Sequence, residues 1–439
     1  MNYIRYYYLN CRVLVFLLVL YTTSSCHSIE KLGKTAVNHE IIDFLSTYLP
    51  ETSISPDDPV LFDSISTAPA TYQLKLSEPW WLIPSPLLPP DVIPLRSNNN
   101  VSINIFNNRL YLAFRTGPTH FASSKTGMYI ISTADGTHWK KEFELFLKRD
   151  LREPFLIPID GKLRFYCFAA GENMLAFQPE FVQMYSTAGN GKWEGPVEVL
   201  TKGEVHWSIL NRHGKTFMTS YAGSHYQLKG EAQVSLYFKQ SISGTDWSAV
   251  GDSAEVYFGG VSETAFEFDT AGNLWGVTRL EDGDKTGFGS HVVFAPANDL
   301  AKWEFPDHAD PNCYMSPKMF RHGNELYLIA RRQSGRQPFG QAGSKRSMTF
   351  QRLVNWVGYS LTPKTTAIFR INQEKRTVEW VMDIPGAGDT AFPSVIRLNA
   401  HQFMIANYSS DPRKSNKSWL GGQLGSTGIY MQILSFEKQ

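Results

Sequence analysis

Short runs of Val, Ile, Leu, Phe and Tyr, five to ten residues long and partly alternating with polar positions, recur from about Asn99 to Phe436. Such runs predict strands rather than helices. Many are joined in pairs by turn residues: Asn107–Asn108, Asp160–Gly161, His213–Gly214, Gly272, His322–Gly323 and the region of Asn399. Gly, Asn and Asp supply the positive φ that a tight hairpin needs. Downstream of five of these pairs a tryptophan recurs, at Trp139, Trp193, Trp247, Trp303 and Trp380, and the sixth pair has none. The first four tryptophans are 54, 54 and 56 residues apart and the last interval is 77, so an insertion is expected in the fifth unit.

One unit of about 50 residues makes a small sheet that cannot bury both faces, whereas a closed ring of such sheets can. Six units predict an all-β, six-bladed β-propeller at residues 98–439. A β-sandwich or a two-domain β protein is the competing reading. Residues 27–97 precede the regular part. Within them Ile41–Tyr48 predicts a short helix, and the proline-rich stretch Pro79–Pro94 is unsuited to a helix or a central strand. Trp80 and Trp81 need burial, so this stretch is expected to lie extended against the domain.

At the N-terminus Arg5 and Arg12 flank an apolar run, Val13–Leu20, followed by small residues up to Cys26. The run is too short to span a bilayer, so residues 1–26 read as an export signal, with a membrane anchor as the alternative. The small residues before Cys26 also resemble a bacterial lipoprotein cleavage site, with Thr23 where that pattern has Leu. On that reading Cys26 carries lipid and tethers a protein that is otherwise secreted, periplasmic or at the cell surface. Of the other cysteines, Cys11 leaves with the signal. Cys167 lies in an apolar strand and reads as a buried thiol, with a Cys167–Cys313 bridge as the alternative. No H-x-x-x-H or C-x-x-C spacing occurs, so neither metal nor cofactor is expected. A net charge of +1 gives nucleic acid or an anionic membrane no electrostatic support. A closed propeller hides its own sheet edges, so a monomer is expected. Asn100, Asn407 and Asn416 fit N-x-[ST].

In a propeller, the start of the first hairpin strand and the end of the second face the central axis. The strand starts offer Ser102, Glu153, His206, Glu263, Ser316 and Thr390 with Asp389. The strand ends offer Arg115, Ala169, Tyr221, Arg279, Arg331 or Arg332, and Tyr408. Ionisable groups converging at one phase of the repeat need a ligand or one another. A salt-bridge network that plugs the axis is the competing reading.

The turn Ser132, Asp135, Gly136, Trp139 resembles the Asp box of sialidases, one residue short of Ser-x-Asp-x-Gly-x-Thr-Trp, and Ser241–Trp247 is a second, more degenerate copy. The chain is similar to the sialidase superfamily over roughly three quarters of its length. The stretch SETAFEFDTAGNLWGVTR resembles the family segment from the activating Glu to the second of three carboxylate-binding arginines, at Glu263 and Arg279. Arg331 or Arg332 is similar to the third. Phe392 stands where the family has its Tyr nucleophile. Asn100, Val101 and Ser102 replace the Arg-Ile-Pro, and Arg115 and His120 occupy the stretch that would hold the acid/base Asp. The resemblance therefore implies a sialidase-type fold with a rearranged site.

Two functions fit. The first is a glycoside hydrolase acting on an acidic glycan, with Glu263 and either Glu153 or Asp389 as the paired carboxyls. Arg115, Arg279, Arg331 and Arg332 would orient the sugar, and His206, Tyr221 and Tyr408 would line its subsites. The second is a non-catalytic propeller that binds glycan or protein through the same arginines. The insertion Gln333–Asn355, with Arg336, Lys345, Arg346 and Arg352, reads as a basic lid. The loop Ser409–Ser418 reads as a second, solvated one.

Overall fold

The computed structural model describes residues 38–51, 72–173, 177–188, 191–334 and 345–439. The signal segment and the cysteine at position 26 lie outside them, as does Arg336. Six antiparallel sheets are arranged in a ring as a β-propeller. Blade 1 is Ser97–Phe106, Arg109–Gly117, Gly127–Thr133 and Trp139–Leu145. Blade 2 is Asp150–Ile159, Lys162–Ala170, Pro179–Thr187 and Trp193–Glu198. Blade 3 is Val205–Arg212, Lys215–Ser224 and Gln233–Ser241, with Ser248–Ala249 and Glu255–Gly259 sharing its outer edge. Blade 4 has Thr264–Phe268, Leu274–Thr278 and Val292–Ala295, and an inserted hairpin, Leu280–Asp284 with Gly287–Gly289. Blade 5 is Met315–His322, Glu325–Gln333, Lys364–Asn372 and Thr377–Ile384. The first strand of each blade adjoins the first strand of the next, and blade 6 returns to blade 1.

Blade 6 closes the ring with chain from both ends. Its strands are Ser394–Arg397, Gln402–Ser409, Gly428–Lys438 and, outermost, Tyr72–Leu76 from the segment ahead of the repeats. Trp80–Ile83 pairs with the same 428–438 strand, and Trp80 and Trp81 are buried. The pre-repeat segment thus supplies strands to the propeller, where the sequence suggested packing alone. Helix α1, His39–Glu51, docks here through Ile41, Ile42 and Leu45, in one cluster with Trp80 and Trp139. Leu45→Ala is expected to cost about 2–4 kcal/mol, because that side chain is fully buried. Denaturant unfolding measures the loss.

The tryptophan turns act as struts. Asp135 Oδ1 accepts from the backbone N–H of Thr137 and of His138, both at 2.8 Å, and Trp139 Nε1 donates to Gly136 O at 3.0 Å. Gly136 has φ +80 and sits against Leu45 and Ile42 of α1, so a side chain there would meet both strain and contact. Trp380, by contrast, is exposed on the outer strand of blade 5.

Cys167 and Cys313 are both buried free thiols, so the bridge considered from sequence does not form. The insertion in blade 5 departs from the expected loop. Residues 335–344 lie outside the described part, and Met348–Leu361 is a helix, α2, N-capped by Ser347. Arg352 of α2 is buried and donates to the backbone carbonyls of Asp282, Gln227 and Gly230. It staples the helix to blades 3 and 4 and does not face a substrate. Asn100 and Asn407 are buried as well, which leaves Asn416 as the exposed sequon.

Candidate functional site

The innermost strands open with bulges. Pairing skips a residue or two between Asn99 and Val101, Arg152 and Phe155, His206 and Ser208, and Met315 and Lys318. Asn100 (φ 46), Glu153 (φ 54) and Ser316 (φ 52) take the left-handed conformation there. A bulge re-aims the side chain it carries, and a non-glycine residue in this region costs of order 1–3 kcal/mol, strain that concentrates at functional sites. The phase of the repeat in blade 1 is therefore Asn100, whereas the sequence reading took Ser102. Ser102 instead accepts from the Leu156 N–H.

Two polar groups face each other at this end of the axis. The first belongs to blades 2–4. Asn100 Nδ2 donates to Glu153 Oε2 at 3.0 Å, and His206 Nε2 donates to the Glu153 carbonyl at 2.8 Å. Burial, and after it the charge of Glu263, pushes the Glu153 carboxyl up to about 8. Glu153 is thus protonated at neutral pH. With Oε2 taken up by Asn100, its proton is favoured on Oε1. Glu263 pairs with Arg279 and accepts the Ser316 N–H on Oε2 at 3.0 Å. Arg279 also binds Glu281, and its Nη2 donates to the Tyr226 hydroxyl at 2.8 Å. Burial opposes the charge of Arg279, but Glu263 and Glu281 outweigh it and raise its pKa. Tyr221 is buried next to both glutamates; desolvation first, then their charges, keep its phenol un-ionised. Burial pushes His206 down to about 4, so it is neutral.

The second group belongs to blades 5, 6 and 1. Asp389 is fully buried, accepts from the Tyr408 hydroxyl at 3.0 Å, and binds His120 Nδ1 at 2.6 Å. Desolvation works against its charge, but His120, Arg331 and Tyr408 hold the carboxyl below its usual range. Burial lowers His120 despite Asp389, so a neutral ring donates from Nδ1 to an ionised carboxylate. Arg331 donates to the Thr390 and Ala391 carbonyls, to Tyr408 at 3.4 Å and to Tyr359 of α2 at 3.1 Å.

Arg152 lies between the two groups. It binds Asp150 and the His120 carbonyl, feels Glu153 and Tyr226, and keeps a fifth of its side chain exposed. The floor is aromatic. Trp207, on the blade 3 bulge, donates to Pro317 O of blade 5 at 3.1 Å and meets Phe392 of blade 6 at 5.2 Å between ring centroids. Those partners lie across the ring, so the indole sits on the axis. The upper wall comes from α2: Trp356 donates to Glu281 O at 3.3 Å and packs against Tyr226.

Of the residues singled out from sequence, Glu153, Glu263, Arg279, Tyr221 and His206 come together, and Asp389, Tyr408 and Arg331 form the opposing group. Arg115 and Arg332 sit differently. Arg115 is fully buried, bound to Asp150, Asn99 and the carbonyls of Thr119 and Phe121, and has no surface to offer a sugar. Arg332 forks onto Asp383 of the outer strand of blade 5. Asn100, Arg152, Trp207, Tyr226 and Glu281 were not singled out as site residues. Asn100 could have been found, because it precedes Glu153 by the same 53 residues that separate Glu153 from His206. Asp150→Asn is expected to cost about 3–5 kcal/mol, since it leaves Arg115 and Arg152 around a neutral amide in a buried site. Thermal unfolding beside the wild type checks this. Among the described residues no group of three or more His, Cys, Asp or Glu is placed to hold a metal ion.

No family model matches the chain, and no characterised protein matches it in sequence. Its fold is similar to that of several solved structures. A protein of unknown function from Dyadobacter fermentans DSM 18053 superposes with a TM-score of 0.53 at 14% identity, over 83% of this chain and 99% of that one. The endosialidase of phage phi92 gives 0.51 at 11%, over 84% and 70%. The sialidase of Trypanosoma rangeli, in complex with 2,3-difluorosialic acid as a covalent intermediate, gives 0.51 at 11%, over 77% and 54%. At these identities the likeness is one of fold: a six-bladed β-propeller with sialidase-like neighbours.

Proposed function

We propose that the chain is an exported glycoside hydrolase acting on an acidic glycan at the mouth formed by blades 2–4. One observation carries this reading. Two glutamates share a buried site, and their environments differ: Glu153 is held protonated to about pH 8, and Glu263 is locked to Arg279. Unequal carboxyls are what hydrolysis of a glycosidic bond requires. Glu153 donates its Oε1 proton to the glycosidic oxygen as the bond to the anomeric carbon breaks. Glu263 either attacks that carbon or takes a proton from the attacking water. Arg279 fixes Glu263, and neutral His206 and Asn100 fix Glu153. Arg152, partly exposed beside Glu153, favours a substrate with a carboxylate or sulfate. The phage endosialidase and the trypanosome sialidase, as propellers of the same fold named for an acidic sugar, are consistent with a glycan ligand. Apolar Val13–Leu20 supports export, and Cys26 is the candidate for a lipid tether.

Hydrolysis of a panel of aryl glycosides and acidic oligosaccharides, wild type beside Glu263→Gln, tests the reading. Turnover in the wild type that is lost in the variant supports it. Glycan binding without turnover, kept in Glu263→Gln and lost in Arg279→Ala, would make the chain a glycan-binding propeller.

A further inference from the structure

The group built from blades 5, 6 and 1 has no part in the carboxyl chemistry, yet the loop that supplies His120 is pinned on every side. That loop joins Arg109–Gly117 to Gly127–Thr133 in blade 1. Guanidinium groups take three of its carbonyls in succession. Arg115 Nη1 donates to Thr119 O at 3.3 Å and its Nη2 to Phe121 O at 3.2 Å, and Arg152 Nη2 donates to His120 O at 3.1 Å. Both arginines end on Asp150, which is fully buried. The His120 N–H donates to the Gln423 carbonyl at 3.1 Å. Surface loops ordinarily leave such groups to water. Here the backbone is fixed on both sides of one histidine, as a functional side chain requires.

The ring is fixed as well. Its Nδ1 is 2.6 Å from Asp389 Oδ2, and Asp389 Oδ1 accepts from the Tyr408 hydroxyl. Burial, and after it the charges of Arg152 and Arg115, keeps the imidazole neutral against the pull of Asp389. A neutral imidazole has one donor nitrogen and one acceptor, and the bond at Nδ1 decides which is which. With the proton held at Nδ1, Nε2 keeps its lone pair. Among the described residues Nε2 has no hydrogen-bond partner, and the side chain is 11% exposed. The rest of the group has nothing left to offer. Asp389 and Tyr408 are fully enclosed, and Arg331 is spent on Thr390, Ala391, Tyr359 and Tyr408. Arg152, tied to the His120 carbonyl, borders Glu153, so the two polar groups share one opening.

We infer that Nε2 of His120 is a substrate-binding acceptor, which receives the hydrogen bond of a sugar hydroxyl on the side of the opening opposite the glutamate pair, with Asp389 and Arg115 as positioning residues. The identity of the ligand rests on the glycosidase reading, whereas the open lone pair can be read without turnover. A site that accepts from a hydroxyl discriminates strongly against a sugar that lacks it.

Two measurements test this. Diethyl pyrocarbonate acylates a neutral imidazole nitrogen with a free lone pair, and peptide mass spectrometry shows which histidine reacts. In the folded chain His120 is expected to react, while His206, bound through Nε2, and His225, held between Asp282 and Glu281, react only on unfolding. Asp389→Asn should slow His120 about tenfold or more, because an amide N–H facing Nδ1 moves the ring proton to Nε2. The second measurement is kcat/KM on monodeoxy analogues of the best acidic oligosaccharide in the panel. His120→Phe should lower it about tenfold on the parent sugar and not at all on the one analogue that lacks the bound hydroxyl. A His120 that reacts only after unfolding overturns the inference. So does a His120→Phe loss that is equal on the parent and on every analogue. No turnover by the wild type, with His120 reacting in the folded chain and slowed in Asp389→Asn, supports the acceptor and counts against the glycosidase reading.

Discussion

Glu153→Gln is expected to lower kcat/KM by about 10²–10⁴-fold on glycosides with poor leaving groups, and far less on those with acidic phenols. A glutamine cannot supply the proton that a sugar alcohol needs on departure, whereas a nitrophenolate leaves without one. The same substitution should stabilise the fold in alkaline solution. The folded carboxyl is raised from 4.5 to about 8, so the native state holds a proton that the unfolded chain releases. Stability contributed by Glu153 therefore falls as pH rises from about 4.5 to about 8, and the full cost is present above that window. Glutamine carries no charge to bury. Relative to the wild type it should be neutral near pH 4 and more stable by about 5 kcal/mol above pH 8. Thermal unfolding of both proteins at pH 4 and pH 8.5, beside kinetics on two leaving groups, separates the catalytic effect from the structural one. A site tuned for proton transfer at the expense of the fold predicts activity lost and stability gained.

Glu263→Gln should be at least as severe, about 10³-fold or more, and should not depend on the leaving group. Its role is at the carbon, not at the departing oxygen. Azide should restore turnover to Glu263→Ala, because a small anion can enter the space and attack or stand in for the lost carboxylate. The configuration of the sugar that the wild type first releases, read by proton NMR, then tells whether Glu263 acts as nucleophile (retained) or base (inverted). Glu263→Gln also removes the second-ranked cause of the raised Glu153 carboxyl. The Glu153 titration should accordingly fall below 8 in that variant, which ties the two residues into one unit. Arg279 keeps Glu281 when Glu263 is lost, so the fold should survive the substitution.

The fold was legible because the propeller repeats its turn chemistry. Asp160–Gly161 and His213–Gly214 mark hairpins by the positive φ they adopt, and the tryptophan spacing marks the blades. What the repeat did not announce was closure. Tyr72–Leu76 lies outside the six copies and carries no turn signal linking it to Gly428–Lys438, although the two pair over five residues. A long-range pairing of this kind leaves no local trace.

The site was legible to the extent that bulges did not disturb the phase. Glu153, His206 and Glu263 follow the repeat. Ser102 was preferred to Asn100 because strand pairing was counted without the extra residue that the bulge inserts. Arg115 and Arg332 illustrate a second limit. Both stand at the end of a second strand, yet Asp150 in the next blade and Asp383 in the outer strand capture them. Sequence gives the phase of an arginine but not the carboxylate that reaches it first. Trp207 was hidden beside His206, since its place across the axis depends on Pro317 and Phe392 in blades far along the chain.

The measurement that bears most directly on the glutamate pair is the pH dependence of kcat/KM for the wild type on a glycoside with a poor leaving group. With Glu153 as proton donor, activity should fall through a single basic limb near pH 8, and that limb should vanish in Glu153→Gln. A basic limb near pH 5, or one near pH 8 that survives in Glu153→Gln, would mean that another group delivers the proton and that Glu153 is not the acid.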